Sequence, residues 1–140
     1  MRALRILTHP YLLMASFLLI LISGKHLGGF YALYLLLALP HGGLHALAAL
    51  AGIALLVYAT IRRKREAQAV VALMNGTGVL LLVLSLIIFF GRDREGYNDA
   101  TFQQTVPQLT LLLFALLACT FFIRNLLLLM RTDKRNRLRD

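Results

Sequence analysis

The sequence predicts an all-α integral membrane protein, a bundle of four transmembrane helices with a short re-entrant or interfacial helix between the first two spans. The 140 residues are 59% hydrophobic and 15% charged, whereas soluble domains average about 45–50% and about 25%. Uncharged stretches cover residues 6–24, 26–61, 67–91 and 100–123, and a membrane-spanning helix needs roughly 20 mostly apolar residues. Too few residues remain for a separate soluble domain, so residues 1–140 are predicted to form one membrane domain.

The first span is predicted over residues 5–23. The preceding Arg2 and Arg5 give this stretch the look of a secretory signal peptide, but it has no small-x-small cleavage site, which favours a retained helix. Pro10 is compatible with a membrane helix when another group satisfies the carbonyl that it frees. Lys25 and His26 mark the end of the span.

The stretch 26–61 is too long for one span, because a continuous helix would measure about 54 Å against a hydrocarbon core of about 30 Å. Pro40 and the Gly42-Gly43 pair predict a break. The second span is therefore predicted over 43–61. Residues 27–39 would reach only about 20 Å as a helix, which predicts a re-entrant or interfacial segment. Its aromatic residues are expected at headgroup depth: Phe30, Tyr31 and Tyr34.

The last two spans are predicted over 68–90 and 107–130, joined by an outer loop at 91–106 and followed by a basic cytoplasmic tail at 131–140. Four spans place both termini and the basic turn 62–65 on one side, with 12 of the 15 lysines and arginines. The positive-inside rule makes this side cytoplasmic in a bacterial inner membrane. A fifth span at 27–39 would move the turn outside, which argues against it.

The net charge of +9 does not predict nucleic-acid binding, because the basic residues flank spans and no aromatic-interleaved basic surface accompanies them. Anionic lipids are the natural partners of such clusters. The single cysteine, Cys119, excludes a thiol-pair oxidoreductase. All six acidic residues lie at span ends, in loops or in the tail, so the sequence offers no intramembrane proton carrier.

The sharpest local pattern is His41-Gly-Gly-Leu-His45, because histidines at i and i+4 on one helix can share a metal ion. Gly42 replaces the glutamate that a zinc protease needs there. A functional hypothesis is an outer-leaflet site for a metal at His41 and His45, or for haem or quinone with further residues of the cluster, namely His26, Tyr31 and Tyr34. The favoured interpretation is structural: His41 caps the helix start, His45 makes an interhelical hydrogen bond, and no cofactor binds.

A second polar group lies near the basic end of the last two spans. Asn75 and Arg124 should reach similar depth because these spans are antiparallel neighbours, and Asn125 lies beside them. We predict an interhelical polar contact in which Arg124 snorkels and bonds to Asn75. A lipid phosphate or a partner subunit is the alternative ligand for Arg124.

These features predict a small non-enzymatic membrane subunit or accessory protein that packs within a larger bacterial inner-membrane complex. Its expected partners are the lipid bilayer and either other membrane subunits or further copies of the chain. The alternative is a redox or ligand-binding membrane protein that uses the histidine–tyrosine cluster. A small channel or transporter is the third hypothesis, for which the sequence shows neither a half-helix pair nor a charged pathway.

Overall fold

A computed structural model describes residues 7–25, 28–93 and 95–137, with side chains through residue 131. The described chain is mostly helical. In chain order its elements are α1 (Pro10–Leu18), β1 (Leu21–Ser23), β2 (Gly28–Phe30), α2 (Tyr31–Ala38), a 3₁₀ turn (Leu39–His41), α3 (Leu44–Arg62), α4 (Gln68–Gly91), α5 (Ala100–Gln103) and α6 (Thr105–Arg137).

Among the residues that the structure describes, three helices are long and apolar enough to cross a membrane. They are α3 with 19 residues, α4 with 24, and the first 27 residues of α6, Thr105–Arg131. They correspond to the spans predicted over 43–61, 68–90 and 107–130. The chain is therefore compatible with a multi-pass membrane protein, as its composition predicts.

The first apolar stretch differs from its prediction of one helix over 5–23. Helix α1 has only nine residues, and Leu21–Ser23 form a strand paired antiparallel with Gly28–Phe30. The outward-facing backbone N–H groups of this strand are satisfied by side chains: Leu21 donates to Thr110 Oγ1 at 3.0 Å and Ser23 to Thr101 Oγ1 at 2.9 Å. These hydroxyls permit non-helical backbone among apolar helices, where an unsatisfied peptide group is costly.

Helix α2 occupies part of the predicted re-entrant or interfacial segment 27–39. It begins only at Tyr31 because residues 28–30 belong to β2. Tyr31 is buried, whereas Leu33, Leu36 and Leu37 on other faces are exposed. The chain then reverses through the 3₁₀ turn and Gly42, whose φ of 64° lies in the left-handed region that glycine adopts without strain. The position of α2 relative to a bilayer stays a prediction.

Helices α3 and α4 form the closest pair. A Cβ atom on Gly52 would lie 2.8 Å from the carbonyl oxygen of Gly78, and one on Gly78 would lie 2.8 Å from Leu56 Cγ. Small residues let membrane helices approach until their backbones touch, which increases van der Waals contact where the hydrophobic effect adds little. Helix α6 packs on the other side of α4, and α1 contacts both α6 and α3.

Candidate functional site

The outer histidine–tyrosine cluster forms in part, around a phenylalanine that the sequence analysis did not single out. The Phe89 ring centroid lies 5.1 Å from that of Tyr31, 5.3 Å from that of Tyr34 and 5.4 Å from that of His45. Three of the predicted site residues thus share one neighbour, and we call these four residues the aromatic cluster. His26 lies outside the described residues.

The buried hydroxyl of Tyr31 takes part in a hydrogen-bond chain that joins three helices. Tyr31 Oη lies 2.8 Å from Ser85 Oγ, and Ser85 Oγ donates to the backbone carbonyl of His45 at 2.8 Å. Because the serine proton is used towards His45, the tyrosine is the donor to the serine. This network connects α2, α4 and α3. It also satisfies the hydroxyl groups of Tyr31 and Ser85 through contacts between helices.

His41 does not join His45 on a helical face, so that part of the sequence interpretation is wrong. His41 belongs to the 3₁₀ turn, and α3 begins at Leu44, after the chain has turned at Gly42. The exposed His41 Nδ1 instead lies 3.0 Å from the carbonyl oxygen of Leu37. Within the described ranges, no three histidine, cysteine or acidic side chains are grouped closely enough to hold a metal ion.

The opposite end of the bundle contains a cavity of about 340 Å³ that is lined by both polar and apolar residues. Its wall combines the start of α1, the end of α3, the α3–α4 turn, the start of α4 and the basic end of α6. The lining residues are Thr8, His9, Pro10, Ala59, Thr60, Arg63, Glu66, Gln68, Val71, Ala72, Asn75, Phe121, Arg124, Asn125 and Leu128. We call this the basic-end cavity.

The three predicted interhelical residues all line the basic-end cavity, but their partners differ from the predicted ones. Asn75 Nδ2 donates to Asn125 Oδ1 at 3.1 Å, and Asn125 Nδ2 donates to the carbonyl of Phe121 at 2.8 Å. Arg124 donates to the hydroxyl of Thr8 instead of bonding to Asn75. Arg124 thus links α6 to the start of the chain, and Asn125 links α6 to α4.

One buried polar atom in this group has no hydrogen-bond partner among the described residues. Asn75 Oδ1 is inaccessible to solvent and accepts no hydrogen bond from any described residue. Its orientation follows from the network, because the Asn75 amide nitrogen is required as the donor to Asn125. A buried carbonyl oxygen without a donor costs about 1–3 kcal/mol, so this atom is a place where a hydroxyl or N–H group would bind favourably.

The loop after α4 closes the end of the bundle that contains the aromatic cluster, which we call the outer end after its predicted orientation. The Asp93 carboxylate accepts hydrogen bonds from the backbone N–H groups of Tyr97 at 2.9 Å and Asn98 at 2.6 Å. Desolvation raises the pKa of Asp93, but these hydrogen bonds and the charge of Lys25 together hold it below the usual value of 3.8. The Lys25 backbone N–H donates to the Tyr97 carbonyl at 2.8 Å, which fastens the β-hairpin to this loop.

The residues missed from sequence are mainly hydroxyl-bearing. Thr101 and Thr110 bond to β1, Ser85 bonds to Tyr31, and Thr8 bonds to Arg124. Only Thr8 had a local signal, since it stands just before His9-Pro10 at a helix start. The others are isolated hydroxyls in apolar helices or a loop, and their partners lie 54 or more residues away in sequence.

No family model matches the chain, and neither a curated protein nor a solved structure shows significant similarity to it.

Proposed function

We propose that the protein is a small non-enzymatic integral membrane subunit or accessory protein of a larger bacterial inner-membrane assembly. The observation that carries the proposal is the structural use of the buried and partly buried hydroxyl groups at the outer end. Tyr31, Ser85, Thr101 and Thr110 hold the segments of the bundle to one another. Such an interior is typical of a packing element.

Helix α6 supplies the surface for assembly. It is contacted by α4 and α1 but has a wide apolar face that is exposed along its length, including Leu109, Leu116, Ile123 and Met130. The helix also continues for 33 residues to Arg137, about 50 Å, which exceeds a hydrocarbon core of about 30 Å. Its basic end would project beyond the bilayer, where a partner could bind it.

We further propose four crossings with both termini cytoplasmic, the first crossing being α1 followed by β1. Thr8 bonds to Arg124, Leu21 to Thr110 and Ser23 to Thr101, so this segment runs antiparallel to α6. The stretch of α6 from Thr105 to Arg124 measures about 28 Å, close to the thickness of the hydrocarbon core. The segment 8–23 accordingly traverses the same depth as a mixed helix and strand.

Cysteine labelling tests this topology. Single cysteines at Asn98 and Asn136 in a Cys119→Ala background would be treated with an impermeant maleimide after permeabilisation of the outer membrane. We expect Asn98→Cys to react and Asn136→Cys to react only after cell lysis. Equal reactivity of the two sites in intact inner membranes would refute the four-crossing topology.

Native electrophoresis in mild detergent tests membership in an assembly. Coexpressed copies with two different tags distinguish a homo-oligomer from a complex with other subunits. We expect a species that contains other membrane proteins and is lost on Leu116→Gln in α6, but not on Leu80→Gln in α4, a matched control since both leucines are more than half exposed. Migration as the 15.7 kDa monomer would contradict the proposal.

The second candidate is a redox or ligand-binding protein that uses the aromatic cluster. The observation in its favour is that His45 and Tyr34 share Phe89 as a neighbour at 5.4 and 5.3 Å, where an imidazole and a phenol could approach the same ligand. An absorption spectrum of the protein purified from native membranes tests it. A Soret or quinone band that is lost on His45→Gln would favour this candidate over the accessory subunit.

A further inference from the structure

We propose that the basic-end cavity binds the phosphate group of an anionic phospholipid whose headgroup also carries a hydroxyl donor, as phosphatidylglycerol does. The inference goes beyond assembly: it assigns a lipid-binding site to this chain whether or not the chain joins a larger complex. Four observations carry it, namely the charge of the lining, the unsatisfied Asn75 oxygen, the depth of the cavity and its size.

The charge of the described lining favours an anion. Arg63 and Arg124 provide two permanent positive charges, and Glu66 provides the one carboxylate. A guanidinium has five N–H donors in a planar fork that matches phosphate oxygens, and the bond from Arg124 to Thr8 uses one of them. The start of α4 adds a partial positive charge from its backbone N–H groups. Its N-cap residue Ala67 makes no side-chain hydrogen bond to these groups.

The unsatisfied Asn75 oxygen favours a headgroup that carries a hydrogen-bond donor close to its phosphate. Asn75 Oδ1 is buried and accepts no hydrogen bond among the described residues, although Asn75 itself lines the cavity. A phosphodiester has only acceptor oxygens and cannot satisfy this atom. A glycerol hydroxyl of phosphatidylglycerol can do so once a small rotation of the Asn75 side chain exposes this oxygen to the cavity, whereas the quaternary ammonium of phosphatidylcholine has no hydrogen to donate.

The proposed topology places the cavity near the depth of lipid headgroups. Arg63 is in the turn outside α3, and Arg124 is seven residues before Arg131, about 10 Å along the helix from the end of its apolar part. The headgroup region adds roughly 5–8 Å to each side of the hydrocarbon core. A phosphate at that depth would lie between the two guanidinium groups, which long side chains can reach by snorkelling.

The size of the cavity fits a headgroup and not a whole lipid. Its volume of about 340 Å³ is near the lower end of the range of ligand sites, roughly 300–1,000 Å³. The acyl chains would remain outside, against apolar residues at the surface of the bundle such as Leu7 and Leu73, which are exposed.

Native mass spectrometry of the full chain in a non-ionic detergent tests the proposal by measuring the dissociation constant of the first bound lipid. We expect phosphatidylglycerol to bind about tenfold or more tightly than phosphatidylcholine. Arg124→Gln and Arg63→Gln should each weaken phosphatidylglycerol binding about tenfold or more, the value of a hydrogen bond to a charged group. Arg63 is exposed, so its variant keeps the test decisive if Arg124→Gln fails to fold.

Lys64→Gln is the matched control. Lys64 stands beside Arg63 in the same turn and carries the same charge, but it does not line the cavity. We expect this variant to change affinity by about twofold or less, as for an exposed charge. Equal losses for Lys64→Gln and Arg63→Gln, or equal binding of the two lipids, would overturn the proposal. Soluble glycerophosphoglycerol that binds as tightly as the lipid would overturn the assignment to a lipid and indicate a free phosphate ester.

Discussion

The two ends of the bundle treat their polar groups differently. At the outer end, Tyr31 donates to Ser85, Ser85 donates to the His45 carbonyl, and Thr101 satisfies the edge of β1. At the other end, a cavity of about 340 Å³ remains and Asn75 Oδ1 has no described donor. Completed networks rigidify a structure, whereas unmatched polar capacity is a frequent mark of a binding site. We therefore expect the outer end to contribute more to stability, and the binding site that we propose lies at the basic end.

Truncation of Tyr31 should give the largest loss of stability. Its side chain is fully buried between Phe17 and Phe89, so Tyr31→Ala removes an aromatic ring from a packed site. We expect a decrease of about 3–5 kcal/mol in the free energy of unfolding, measured in mixed micelles with increasing SDS. Tyr34→Ala, at a partly exposed position in the same helix, should cost clearly less. Equal losses would show that the deeper burial of Tyr31 does not determine its contribution to stability.

Removal of the Thr101 hydroxyl should give the next largest effect. Thr101→Val keeps the shape of the side chain but leaves the backbone N–H of Ser23 without its acceptor, which should cost about 1–3 kcal/mol. Thr120→Val is the control, because the hydroxyl of Thr120 donates to the Leu116 carbonyl of its own helix and makes no hydrogen bond to another described segment. A loss for Thr120→Val as large as that for Thr101→Val would argue against a special role for the strand edge.

The asparagine pair at the basic end should contribute less. A double-mutant cycle with Asn75→Leu and Asn125→Leu should give a coupling energy of about 0.6 kcal/mol, the average for interhelical polar contacts in membranes. Asn75→Leu combined with Arg124→Leu should be nearly additive, because Arg124 bonds to Thr8. Strong coupling of Asn75 to Arg124 would restore the contact predicted from the sequence.

Protonation of Asp93 should give the smallest effect, since this residue is only half-buried in a loop and its charge is screened by solvent. Its pKa is lower in the folded state than the usual 3.8, so its contribution to stability is present above that value and is lost as the pH falls through the lower folded pKa. Asp93→Asn should therefore be slightly less stable than the natural chain at neutral pH and equal to it in strong acid. A difference that persists in acid would point to a cause other than ionisation.

The long helices were predictable because their signal is local. Uncharged stretches of sufficient length and the break at Gly42-Gly43 place α3 and α4 within about one residue of the observed ends. The strand β1 was not predictable, because the hydroxyls that satisfy its backbone lie 78 and 89 residues away in the sequence. Local sequence carries no information on such distant acceptors.

The sequence predicts how far along its helix each residue of the polar group at the basic end lies. It does not predict the direction in which the side chain points. The antiparallel arrangement correctly places Asn75 level with Asn125, yet neighbouring helical residues point about 100° apart. Asn125 therefore faces α4 while Arg124 faces the start of α1. Helix rotation depends on tertiary packing, which one sequence does not specify.

The bonds from β1 to α6 also have a consequence for the order of events during synthesis. Leu21 leaves the ribosome 89 residues before Thr110, an interval of about 4–18 s at roughly 5–20 residues per second. During that interval the strand has no acceptor for its outer edge, whereas a helix would satisfy its own backbone. We therefore expect this segment to be helical during that interval and to form the strand only after the hydroxyls of Thr101 and Thr110 have been synthesised.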